Sequence, residues 1–160
     1  MKLNSIIQIF ILSLSLFANA APLDGVKVFT GKLATGKSCK VTYGPLVQID
    51  NNTFRVNGLL FELADSKIEL AGAKLVSSEL NLQTNLLIGQ GVLNRKVVIT
   101  SEVLGVGYET GILVNFEVKV DSKANPLEYT ISTQAYRNEF VFGSWVEGER
   151  GPLESSLCKN

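Results

Sequence analysis

Histidine is absent from all 160 residues. Imidazole is the commonest general base near neutral pH and the commonest nitrogen ligand for transition metals, so its absence removes Ser-His and Cys-His nucleophile pairs and histidine metal centres together. Cysteine is nearly as scarce: the chain has only Cys39 and Cys158. If these two are bonded to each other, zinc, copper or iron would have to be held by carboxylates alone, a donor set those ions disfavour. The sequence therefore predicts no metal and no cofactor. An excess of charge is missing too, because 15 Lys and Arg balance 15 Asp and Glu. Without a basic stripe and interleaved aromatics there is no electrostatic footprint for nucleic acid, and none is expected as a partner.

Long apolar runs are missing except at the start. Residues 6–17 form a run of about a dozen, preceded by Lys2 and followed by the small-x-small triplet Ala18-Asn19-Ala20, the three parts of a secretory signal peptide. The run is well short of the roughly 20 residues that cross a bilayer, so no transmembrane segment is expected in the mature chain. Ala21, not cysteine, follows the cleavage site, which argues against a lipid anchor. Residues 1–20 are thus expected to be removed, leaving 160 − 20 = 140 residues, 21–160, as a single β domain that is secreted or periplasmic. In such an oxidising compartment Cys39 and Cys158 are expected to pair, closing a loop worth at most about 4–5 kcal/mol in chain entropy.

What is present is alternation. Ile112, Val114, Phe116, Val118 and Val120 share one face of a period-two pattern, with Asn115, Glu117, Lys119 and Asp121 opposite. Leu127, Tyr129 and Ile131 repeat it, and the turn formers of residues 121–126 make the two segments a hairpin. A second hairpin joins residues 46–49 to 54–56 through Asp50-Asn51-Asn52-Thr53. At Asn57-Gly58 the apolar parity shifts, which fits either another tight turn or a bulge that re-aims the strand; only three residues precede Asn57, which favours the bulge. Further runs at 26–33, 39–43, 67–70, 97–103 and 140–146 complete about nine short strands, an all-β antiparallel barrel or sandwich. One helix over residues 73–88 stays open as an alternative, since Leu75, Val76, Leu80 and Leu87 fit a helical face; Leu80 and Leu82 alternating with Glu79, Asn81 and Gln83 favour a strand.

Catalytic chemistry has few bearers. Acidic residues such as Glu62, Glu69, Glu79, Glu102, Glu117 and Glu128 are scattered singly, as on the solvated faces of strands. Ser156-Leu157-Cys158-Lys159 has Ser-x-x-Lys spacing but includes the bonded cysteine and lacks partner motifs, and no nucleophile elbow or phosphate loop is present. No catalytic residue is assigned. Asp50 with its asparagines, and Asp121 with Asn125, offer oxygens to calcium at lower density than a dedicated loop, and hairpin turns already account for them. Asn51-Asn52-Thr53 also fits a glycosylation acceptor.

Aromatics hold the one hint of binding. Trp145, Tyr136 and Arg137 are of the types that anchor interfaces or stack on ring ligands, and are the candidate ligand-binding residues. Phe140 and Phe142 share parity and are expected in the core, where Trp145 is more simply placed as well. The leading functional expectation is an exported noncatalytic binding module for a small apolar ligand or a protein or envelope partner. A glycan-directed enzyme using carboxylate or tyrosine, and a structural or inhibitory domain acting by strand pairing, are the alternatives.

Overall fold

A computed structural model of the chain describes residues 25–63, 66–69 and 74–160, with backbone only at 66–69, 74 and 75. The expected signal peptide, residues 1–20, lies outside them. The described residues form twelve strands and no helix: β1 Lys27–Leu33, β2 Ser38–Tyr43, β3 Leu46–Gln48, β4 Thr53–Val56, β5 Leu60–Leu63, β6 Ser66–Glu69, β7 Lys74–Asn81, β8 Leu86–Ser101, β9 Val106–Val120, β10 Pro126–Val141, β11 Ser144–Val146 and β12 Arg150–Lys159. All lie in one antiparallel sheet ordered β3-β4-β7-β8-β9-β10-β12-β1-β2-β5-β6, with β11 on the far end of β10. The all-β expectation holds, as an open, curled half-barrel. Twelve strands replace the nine expected because residues 54–63 divide into β4 and β5, and because β7, read against a helix alternative, and β12 add two more.

The helix alternative over residues 73–88 is corrected to β7, a turn at 82–85 and the start of β8; Ala73 itself lies outside the described residues. Leu80 and Leu87 are seven apart, which suits a helical face and a hairpin alike. The tie is broken by Asn81, whose side-chain oxygen accepts the Gln83 and Thr84 N–H groups at 2.9 and 3.2 Å, and by Asn85 at φ 56°. Leu80 and Leu87 then pair across the hairpin and are fully buried. The hairpins at 50–53 and 121–125 form as expected. Asp50 accepts the N–H groups of Asn52 and Thr53 at 2.9 and 2.8 Å, and Asp121 accepts those of Lys123 and Asn125 at 2.8 Å each.

The bulge expected at Asn57-Gly58 is a crossover instead. β4 pairs with β3 and β7, whereas β5 pairs with β2 and β6 at the other end of the sheet. Gly58, at φ 63°, turns the chain between them, and Leu59 plugs the interior. Parity shifts because each segment must face inward from a different wall.

The concave side is filled. Val114, Phe116, Val118 and Val120 from β9 meet Phe61 from β5, whose ring centroid lies 5.6 Å from Phe116 and 4.9 Å from Tyr129. Tyr43 donates its hydroxyl to the Ala124 carbonyl, tying β2 to the β9–β10 turn. Cys39 and Cys158 form the expected disulfide, Cα to Cα 6.1 Å, both buried. They meet across β1: Gly31 is the register partner of Cys39 and Leu33 that of Cys158. A Cβ at Gly31 would stand 2.7 Å from the Lys159 carbonyl oxygen, so the missing side chain is what lets β12 close on β1.

Removing the bond with C39A/C158A is expected to cost about 2–4 kcal/mol by urea unfolding, most of it through a looser unfolded chain. The two core tyrosines should respond oppositely to losing their hydroxyls. Tyr43→Phe leaves the Ala124 carbonyl unpaired and should cost about 1 kcal/mol. The Tyr129 hydroxyl is buried with no partner among the described residues, so Tyr129→Phe should leave the melting temperature unchanged or raise it.

Candidate functional site

The three longest strands are longer than the body that they belong to. Among the described residues β7 follows β8 as far as Val92, and β12 follows β10 to Tyr136. Beyond those points β8, β9 and β10, with β11 alongside, run on as an arm with no other strand against it among the described residues.

Cross-strand register sorts the arm into two faces. On one, Ile99, Gly107, Phe140 and Trp145 form a row across four strands, and Trp145 lies over Phe140 with centroids 4.9 Å apart. Next toward the body come Val97, Glu109 and Asn138, and then Gly111 with Tyr136. The Tyr136 ring lies across Gly111, where a Cβ would meet it at 2.8 Å, and its hydroxyl donates to Glu109 at 2.5 Å. Arg95 holds the other Glu109 oxygen at 2.8 Å, and Arg150 caps the Tyr136 ring at 5.6 Å while pairing with Glu147. On the opposite face Arg137 stacks on Tyr108 at 4.5 Å and pairs with Glu139 at 2.6 Å. A belt of ion pairs thus rings the arm between the body and its end.

The end itself is apolar. The turn at 102–105 presents Val103, 97 % exposed, and Leu104, 64 % exposed; the β10–β11 turn presents Phe142 at 87 %. The two turns are joined by the Gly143 N–H to the Gly105 carbonyl at 3.3 Å, a contact that needs glycine at 105, where a Cβ would meet the Gly143 nitrogen at 2.5 Å. Phe142 and Gly143, at φ 50° and 79°, are the two central residues of a hairpin turn with both φ positive. Such turns favour Asn-Gly; a bulky side chain there costs about 1 kcal/mol or more. Phe142 meets that cost without burying its ring.

The three candidate residues from the sequence reach the arm without forming one cluster. Tyr136 is buried beneath Arg150, and Arg137, its neighbour in a strand, points to the other face. Trp145 shares the Tyr136 face nearer the end and is 44 % exposed, so its simpler placement in the core is corrected. The same holds for Phe140, which lies on the arm, and for Phe142: the positive-φ turn breaks the parity that placed them inside. Val103 and Leu104 were not singled out. Their signal was available, as two apolar residues between Glu102 and Gly105 where a turn is ordinarily polar.

Tyr136 is pushed up to about 12 by burial and by its bond to Glu109, away from the range useful for proton transfer at neutral pH. No three His, Cys, Asp or Glu side chains gather as a metal site would need among the described residues. A surface depression by Ser77, Ile88, Gln90 and Asn115 is open to solvent. No protein-family model, curated protein or solved structure matches the chain.

Three phenols set the alkaline limit of the fold. Burial raises Tyr129 to about 12 and pushes Tyr43 up as well, with the Asp121 charge adding to the latter. With Tyr136 they stay protonated in the folded chain when an unfolded one begins to ionise, near pH of about 10. Their contribution is whole below that pH and is lost as pH rises toward about 12. Urea midpoints measured between pH 8 and pH 11 should therefore be level at first and fall above about 10.

Proposed function

We propose that the chain is an exported, noncatalytic binding module that seats the end of its β-arm in an apolar recess of a protein partner. One observation carries the reading: Phe142 occupies a turn position that disfavours it and leaves its ring in solvent beside Val103 and Leu104. Strain held without a folding return is the mark of a group kept for contact.

Several features support a protein partner over the other occupants considered from the sequence. The concave face, where a small apolar ligand would sit, is filled by side chains. A lipid surface is favoured by clustered Lys and Arg, whereas the belt behind the tip alternates Arg95, Arg137 and Arg150 with Glu109, Glu139 and Glu147, and Glu102 lies within the tip turn itself. Paired charges around an apolar centre match a protein interface with a polar rim. Export is supported by the buried disulfide, which suits an oxidising compartment, and by the leader-like composition of residues 1–20.

Phe142→Asn separates the two roles of the site. The variant should gain about 1 kcal/mol in urea unfolding, because asparagine accepts the left-handed conformation, and should lose binding. A photoreactive benzoyl-phenylalanine at Val103 should give one discrete protein adduct in the envelope and medium of the producing cell, which F142N abolishes and the same group at Val28 does not form. An adduct that survives F142N, or transfer to neutral lipid vesicles instead, would reject the reading.

A further inference from the structure

The side of the arm offers a second surface, independent of its end. β8 is the outermost strand of the arm, and past Val92 no strand covers its free edge among the described residues. A sheet edge of this kind presents a row of unpaired N–H and C=O groups that another strand can complete. Edges left open in soluble proteins are usually broken by proline or by charge along their length. Here the β8–β9 ladder is regular from Lys96 to Ile99, between register shifts at 93–96 and 99–101, and within it Val97, Val98 and Ile99 are all β-branched, with Arg95 and Lys96 at one end only.

We infer that this edge is self-complementary, and that two copies of the chain pair antiparallel along β8 about a two-fold axis at Val98. In that register Val98 faces its own equivalent, Val97 faces Ile99 of the copy, and Lys96 faces Thr100. Three adjacent positions are then apolar against apolar, and no like charges stand directly opposite. A register shifted by two, centred on Val97, sets Lys96 against Val98 and Arg95 against Ile99, placing charge on β-branched side chains. A shift by one sets the two faces of the arm on opposite sides, which no two-fold axis allows. Arg95 is already held by Glu109 within its own chain, so it brings no unpaired charge to the seam.

The pairing also extends a surface described above. Ile99 begins the apolar row that ends at Trp145, and Val97 lies on the same face. Joining two copies at β8 sets these side chains against those of the partner arm, covering groups that are 42 % and 46 % exposed in one chain. The contact is a short edge, so association belongs at the weak end of specific interfaces.

Sedimentation velocity of the disulfide-bonded protein tests this, at loadings up to about 100 µM, the concentrations that a weak interface requires. A concentration-dependent dimer is expected, and a monomer throughout would overturn the inference. V97K/I99K sets lysine against lysine twice across the axis and should raise the dissociation constant about 100-fold or more. V97K/I99E has the same number of changes at the same exposed positions but sets opposite charges together, and should restore the dimer. Equal behaviour of the two variants, whether both dimeric or both monomeric, would reject the register and with it the two-fold axis. An unchanged disulfide and far-UV spectrum show that each variant is folded, and F142N should leave the dimer intact, which distinguishes this seam from the contact made by the tip.

Discussion

A lone sheet has an inside only if it bends back on itself, and here Cys39 and Cys158, joined across Gly31, pin part of that bend. The bond spans 119 residues of sequence and draws β12 to β2 with only β1 between them. The concave side is filled from both walls. Phe29, Val41 and Phe61 on one wall meet Val114, Phe116 and Tyr129 on the other because the walls have been brought face to face. The ends of the sheet, β3 and β6, do not pair with each other among the described residues; the clasp and the two crossover segments, bonded through the Gly44 and Asn57 N–H groups, hold the walls together.

The body and the arm divide their labour along the same three strands. In the lower half of β9, alternate residues from Val114 to Val120 are buried; in the upper half Tyr108, Glu109 and Thr110 are half-exposed and carry cross-strand pairs. Rigidity in the arm comes from side chains that lock the ladder on both faces: Tyr136 over Gly111 on one, Arg137 over Tyr108 on the other. The apolar end is therefore presented by a stiff support, with its two turns bonded to each other, and ordering it on binding carries little further entropy cost.

The body was legible in the sequence because its pattern is local. The five-residue alternation from Ile112 to Val120 and the aspartate-capped turns at Asp50 and Asp121 state their conformations outright, and two cysteines leave one pairing within the chain. The crossover at Gly58 was not legible, since a change of parity looks the same whether a strand bulges or leaves for another wall. The tip was missed for a related reason: Phe140 and Phe142 share parity only while the backbone stays extended, and Phe142 lies where it does not. Tyr136 and Arg137 could have been separated beforehand, because neighbours in a strand point to opposite faces. The closeness of Gly31 to Lys159 had no sequence signal beyond an isolated glycine in a strand pattern.

The loop that the disulfide encloses contains the whole arm, whose strands β8, β9 and β10 are consecutive and joined by short turns. Their ladders need only neighbouring stretches of chain to meet, while the clasp must wait for segments more than a hundred residues apart. The meander's ladders therefore close shorter loops than the seam does, at a smaller entropy cost. A molecule whose seam is open leaves the apolar wall of β9 without the cover that β5 gives it, and such a wall is a site of association with other chains.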